Sequence, residues 1–203
     1  MSIVVALTVF ALILPAELPD KTMVATLVLS TRFPAFPVWV GVTAGFAVQT
    51  VVAVAAGDLV SLLPKDIVHG VTAAMFAIGA LLMLRAGGGD TVEEEERELS
   101  ADIAETPAGP SFRRAALTSF GVLFAAEWGD LSQILTANFA AKYADPIAVF
   151  LGAWLALAAV AAIAVLSGRA LLRVVPLVWV RRLAALLFAV MAVVTGLEAG
   201  GVF

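Results

Sequence analysis

Cysteine is absent from this chain of 203 residues, and histidine occurs once. No disulfide framework, thiolate metal site or cysteine nucleophile can therefore be built. Charge is scarce too. Only 14% of the residues are Asp, Glu, Lys or Arg, whereas a soluble domain needs roughly a quarter to cover its surface. The few charges are also concentrated, since 8 of the 16 acids lie between Asp90 and Glu105. There is no basic patch, which excludes a nucleic-acid binder. A basic leader segment with a small-residue cleavage site is missing as well, so residues 3–14 read as part of a retained helix. What is abundant is apolar: 62% of the residues are hydrophobic and the mean hydropathy is +1.05. The composition is that of an integral membrane protein embedded in a lipid bilayer.

Crossing about 30 Å of hydrocarbon takes roughly 20 apolar residues in a helix. Six segments qualify, at about 3–31, 37–62, 66–84, 113–141, 147–167 and 178–198. The first is interrupted by Pro15, Glu17, Pro19, Asp20 and Lys21, and the fourth carries Glu127 and Asp130 at its middle. Residues 87–111, with Glu93 to Glu96 in a row, have almost nothing apolar and read as an acidic solvated linker. The expected organisation is a first three-helix unit over residues 1–86, the linker, and a second three-helix unit over 112–203. Lys and Arg fix the orientation. Nine of them flank the linker side, from Arg32 to Arg182, against Lys65 and Lys142 opposite. The linker is then cytoplasmic, and both termini face outward.

The chain matches itself at an offset of about 110 residues. Glu17-Leu18-Pro19-Asp20-Lys21-Thr22 lies over Glu127-Trp128-Gly129-Asp130-Leu131-Ser132, Gly41 over Gly152, and Phe76-Ala77 over Phe188-Ala189. Each half holds three spans, an odd number, so the second half enters the bilayer upside down. The predicted fold is all-α, with six transmembrane helices as two inverted repeats. Such repeats place a site at the bilayer midplane, on broken helices between the halves.

The chemically unusual residues fall there. Glu17 and Asp20 are spaced i, i+3, as are Glu127 and Asp130, with Gln133 one turn on. Ionised acids near a membrane centre cost several kcal/mol each, of order 3, unless something compensates them. A divalent cation between them, or protons on some of them, relieves the repulsion. Alternation of the two remedies at one site is the physical basis of cation/proton exchange. Pro15 and Pro19 free backbone carbonyls, tolerated at this depth only beside a cavity or ligand. Thr22, Ser132 and Gln133 add neutral oxygens. An oxygen-only set selects hard ions such as Ca²⁺, Mn²⁺ or Mg²⁺ over Zn²⁺ or Cu⁺.

These residues resemble the Gdt-type cation/proton exchangers, membrane proteins with twin E-x-G-D-[KR]-[ST] motifs on the first and fourth helices. The likeness covers nearly the whole chain. It implies Ca²⁺ or Mn²⁺ transport, with manganese export in bacterial members and hence a bacterial inner (plasma) membrane. It implies an ion site formed by Glu17, Asp20, Thr22, Glu127, Asp130, Ser132 and Gln133. Two departures stand out: Pro19 replaces the first motif glycine, and Leu131 replaces the second motif's basic residue. No resident cofactor is expected; the divalent cation and protons are cargo, and a homo-oligomer is compatible with the sequence.

Two rival readings use the same residues. Asp20 and Asp130 on different helices suit an intramembrane aspartyl protease dyad, although each has a Glu at i−3 that a dyad does not need. An exporter of another small cationic solute would use the same anionic cavity. No phosphate-binding loop is present, so transport runs on ion gradients. Elsewhere, Gln49 is placed where it could reach the site but reads first as an amide bonding a neighbouring helix, Gly41-x-x-x-Gly45 as a close helix contact, and His69 as interfacial. Trp39, Trp154 and Trp179 read as interface-belt residues. Trp128 is expected to pack beside the site, and Asp58 and Glu198 to be solvated.

Overall fold

The computed structural model describes residues 2–18, 21–60, 62, 64–85, 111–174 and 177–200. Among these the chain is entirely helical, without strands. We number the eight helices α1 (Ile3–Glu17), α2 (Lys21–Arg32), α3 (Ala35–Val60), α4 (Lys65–Arg85), α5 (Phe112–Ala126), α6 (Leu131–Tyr143), α7 (Pro146–Val174) and α8 (Leu177–Ala199). Helix is the natural solution for such apolar runs, because it satisfies every backbone N–H and C=O within the segment. Three stretches are long and apolar enough to cross a membrane, Ala35–Gly57, Pro146–Leu166 and Arg182–Ala199. A fourth is the broken pair α1 and α2, bent by 68°. Nearly all of the acidic linker, together with Pro19 and Asp20, lies outside the described residues, as do the side chains of Lys21, Asp58, Leu131 and Trp179.

The fourth expected span is divided as well. Helix α5 ends at Ala126, and Glu127 to Gly129 form a turn before Asp130 starts α6. The cause is Gly129, whose φ of 78° lies in the left-handed region, which costs a side-chain-bearing residue about 1–2 kcal/mol. A proline, with φ held near about −65°, cannot make this turn, so Pro19 is not interchangeable with Gly129.

Glycines and small residues let the helices approach closely. A Cβ on Gly41 would overlap the backbone of Ala116, with its carbonyl carbon at 2.9 Å. A Cβ on Gly152 would in the same way overlap the carbonyl of Ala6. Contacts advance in step along α3 and α5, from Gly41 at Ala116 to Gly45 at Phe120 and Gln49 at Phe124, so these helices run parallel. Helices α1 and α7 start together: the backbone N–H of Ser2 donates to Asp145 Oδ2 at 2.6 Å, while Asp145 Oδ1 accepts from Ala148 N–H at the head of α7.

Helices α3 and α7 cross in the opposite sense. Trp39 Nε1 donates to the carbonyl of Ala158 at 3.1 Å, and Trp154 Nε1 to that of Thr43 at 3.0 Å. Both indoles are partly buried at this crossing, so they tie helices together rather than serving only as a lipid belt. Phe76, Phe139 and Phe188, all fully buried, join α4, α6 and α8, with ring centroids 5.7 Å and 5.5 Å from Phe76. Glu198 is not simply solvated either. Its Oε2 lies 2.6 Å from Lys142 Nζ, which also donates to Thr195 Oγ1.

Candidate cation site

The turn between α5 and α6 is held by one side chain from its own far end. Gln133 Oε1 accepts from Gly129 N–H at 3.1 Å, and Gln133 Nε2 donates to the carbonyl of Glu127 at 3.1 Å. Both ends of this amide are therefore engaged by the turn. Asp130 begins α6 with extended backbone, φ −69° and ψ 163°, and accepts from Ser132 Oγ at 3.3 Å. One turn further on, Thr136 Oγ1 donates to the carbonyl of Ser132 at 2.7 Å. Thr26 Oγ1 makes the same bond to Thr22 in α2, at 2.9 Å. The hydroxyl ladder thus repeats in both halves.

This framework brings together carboxylates from the two halves of the chain. One oxygen from each of Glu17, Glu127 and Asp130 lies within 4.8 Å of the other two. Glu17 and Glu127 are each only 3% exposed, although they are 110 residues apart in sequence. At an effective dielectric of about 20, two ionised carboxylates at that distance repel by about 3 kcal/mol. Three together need positive charge among them, or protons.

Beside Glu127 lies a small cavity with room for about one water-sized occupant. Its polar wall comes from Gln49 and Thr50 of α3, Glu127 of the turn, and Ser132, Gln133 and Thr136 of α6; Phe46 and Leu157 form part of the apolar wall. Gln49 donates from Nε2 to the carbonyl of Phe124 at 3.0 Å, one of the carbonyls left over at the end of α5.

Of the seven residues expected in the site, the structure brings Glu17, Glu127 and Asp130 into one cluster. Glu127, Ser132 and Gln133 also line the adjoining cavity. Thr22 is fully buried at the start of α2, and its Oγ1 has no hydrogen-bond partner among the described residues. Asp20 is outside those residues. Trp128, between the motif carboxylates, turns away: it is 58% exposed and packs on Phe124 at 4.9 Å. Sequence reasoning misses Thr50 and Thr136 as wall residues. The signal for Thr136 is its spacing, one turn beyond Ser132; Thr50 gives none without the register of α3 against α6.

The sequence model of the family described as the divalent cation/proton antiporter GDT1 matches this chain twice, over residues 5–91 and 115–201. A GDT1-like protein of Synechocystis is 31% identical over 191 residues, covering 91% of this chain and 92% of that protein. GDT1-like protein 5 of Arabidopsis thaliana is 28% identical over 77% of this chain and 79% of its own length. Protein PAM71, chloroplastic, of the same plant is 28% identical over 93% of this chain and 55% of its own length. No solved structure matches.

Proposed function

The chain belongs to the divalent cation/proton antiporter family GDT1, and from that premise we propose that it moves Mn²⁺ or Ca²⁺ out of the cell in exchange for protons. The family is one of transporters and not of enzymes, so Asp20 and Asp130 are not read as a protease dyad. The observation that carries the reading is the meeting of Glu17 with Glu127 and Asp130 within 4.8 Å. Oxygens on opposite sides of a Ca²⁺ ion are about 4.6–5.2 Å apart, so this spread fits one hard divalent cation with little rearrangement. Cation and protons then compete for the same carboxylates: entry of one charge expels the other. The cavity beside Glu127, with room for about one water-sized occupant, favours a metal ion over an organic cation.

In the proposed architecture six spans form two inverted three-helix units, residues 1–86 and 112–203, joined by the acidic linker on the cytoplasmic side of a bacterial inner membrane. Several observations support it. The two family matches begin 110 residues apart. Repeat-related residues also meet one another, Phe76 with Phe188 at 5.5 Å and Glu17 with Glu127, and Phe46 and its counterpart Leu157 line the same cavity. A pseudo-two-fold axis would produce such self-meetings, and the antiparallel crossing of α3 with its counterpart α7 is the arrangement an axis in the membrane plane requires. Transport follows by rocking one unit against the other around the carboxylates.

The ion set proposed is Glu17, Asp20, Thr22, Glu127, Asp130 and Ser132, with Gln133 shaping the turn that presents two of them. The test is flux into proteoliposomes with Mn²⁺ and Ca²⁺ separately under an imposed pH gradient. Metal uptake should follow the direction of the gradient and stop in Glu17→Gln. Flux that is indifferent to the pH gradient would refute exchange, and flux retained by Glu17→Gln would remove that residue from the site.

A further inference from the structure

The cavity wall is not symmetric, although the chain that builds it is repeated. At the repeat offset that superimposes Gly41 on Gly152, Gln49 corresponds to Val160. At the offset that superimposes Glu17 on Glu127, Gln133 corresponds to Met23. Met23 and Val160 are buried and pack together with Ala164 in a small apolar cluster of their own. The carboxylates are thus duplicated, whereas neither amide has a counterpart in the other repeat.

The two amides differ in what they leave available. Gln133 has both its oxygen and its nitrogen engaged by the Glu127–Gly129 turn. Gln49 uses its nitrogen alone. Because the partner is a backbone carbonyl, which only accepts, the end facing Phe124 must be Nε2. Its Oε1 is then the other end, and no hydrogen bond reaches it among the described residues. The side chain is 3% exposed and lines the cavity shared with Glu127. An amide oxygen at the wall of such a cavity is a ready ligand for a positive occupant.

We propose that Gln49 is a further ligand of the transported cation, supplying its amide oxygen from α3, and that the ion consequently sits off the pseudo-two-fold axis, toward the α5–α6 turn. This rests on the proposed exchange function and deepens it. The bond to Phe124 aims the oxygen: it fixes the amide plane and forces Oε1 away from the α5 backbone. Neutral oxygen ligands suit Ca²⁺ and Mn²⁺ alike, and this one adds affinity without adding a proton-binding group. Part of the cation affinity is thereby carried by a side chain that takes no part in proton coupling. Val160 at the equivalent place in α7 offers nothing to a cation, so the two repeat-related halves of the pocket are not equivalent stations for the ion.

The experiment is titration of the purified full-length protein in detergent with MnCl₂ or CaCl₂ alone, comparing Gln49→Met with Gln49→Glu. Methionine removes both the oxygen and the tie to Phe124. Glutamate keeps an oxygen toward the cavity but, when ionised, cannot donate to the Phe124 carbonyl. If Gln49 is a ligand, Gln49→Met weakens the metal by about 10- to 100-fold, while Gln49→Glu binds as tightly as the parent or more tightly. Its metal affinity should also become more strongly pH-dependent. If Gln49 only ties α3 to α5, both variants weaken binding equally, and both melt lower in the absence of metal; that result overturns the proposal. Melting without metal identifies a variant that fails to fold, and Val160→Gln then serves as a second probe. That substitution should leave the affinity within about twofold if the ion lies off-axis, and a gain of tenfold or more would place the ion centrally. Loss of metal binding in Glu17→Gln with unchanged binding in Gln49→Met would retain the exchange site and reject Gln49 alone. Retained binding in Glu17→Gln would reject the site itself.

Discussion

Substituting Gly41 by alanine should separate the two helices that position the cavity wall. The new Cβ would fall on the Ala116 backbone, where even the carbonyl carbon is 2.9 Å away. Carbon atoms rest at about 3.5–4.0 Å, so α3 and α5 must part by about 1 Å. Backbone atoms are in the way, not the far end of a flexible side chain, so local adjustment is poor, and overpacking of this kind costs about 1–3 kcal/mol. Against this stands a gain in helix propensity of up to about 1 kcal/mol for replacing glycine. The same gain without the clash is available at Gly70 and Gly121, where an added Cβ meets nothing within 4 Å. Gly41→Ala should therefore fall below Gly70→Ala and Gly121→Ala by about 2 kcal/mol, or about 4–8 °C in Tm for a chain of this size. Gly152→Ala should behave like Gly41→Ala, since it meets Ala6 in the equivalent way. Melting of the purified variants in detergent is the assay. Because the same helix pair carries the Gln49–Phe124 bond two turns further on, cation affinity should drop along with stability. Equal melting of all four variants would refute the close packing on which the site geometry rests.

Other outcomes follow from single contacts. Gly129→Ala should cost about 1–2 kcal/mol from its φ of 78°, and weaken metal binding in titrations, although there is space for the methyl group. Ala144→Gly, at φ 49° after α6, should stabilise by about 1 kcal/mol, visible as a higher Tm. Lys142→Met breaks the ion pair with Glu198 and the bond to Thr195. Since Lys142 is nearly buried and Glu198 partly exposed, the loss should be about 2 kcal/mol, between exposed and buried pairs. The Asp145 carboxyl lies below its ordinary range because the Ser2 and Ala148 N–H groups bond its charged form. A depressed folded-state value means this contribution is present above about pH 4 and is lost as pH falls through the folded value. The melting difference between the parent and Asp145→Asn should therefore shrink as pH is lowered toward 3.

The breaks and their carboxylates are legible in the sequence because each is an offence against its surroundings. Acids, prolines and a glycine within apolar runs stand out, and their recurrence at a fixed offset pairs them. What those signals omit is direction across space. Gln49 does bond a neighbouring helix, as its place in α3 suggests, but its acceptor, the Phe124 carbonyl, depends on the parallel register of α3 and α5. Trp39 and Trp154 look like interface residues by counting along their helices, yet their N–H groups find carbonyls across the α3–α7 crossing. Glu198 looks solvated because its partner Lys142 is 56 residues away. Trp128 sits between motif carboxylates in sequence and outside the pocket in space, because the left-handed Gly129 turns the chain there.

The most direct test of the central claim is the stoichiometry of divalent-cation binding to the purified protein, measured by calorimetric titration in the parent, Glu17→Gln and Glu127→Gln. A single shared pocket predicts one tight ion per chain, lost in either variant alone, with protons released as the metal binds. Two tight ions in the parent, with each variant losing one and keeping the other, would mean that the two halves hold separate sites, and would contradict the shared pocket.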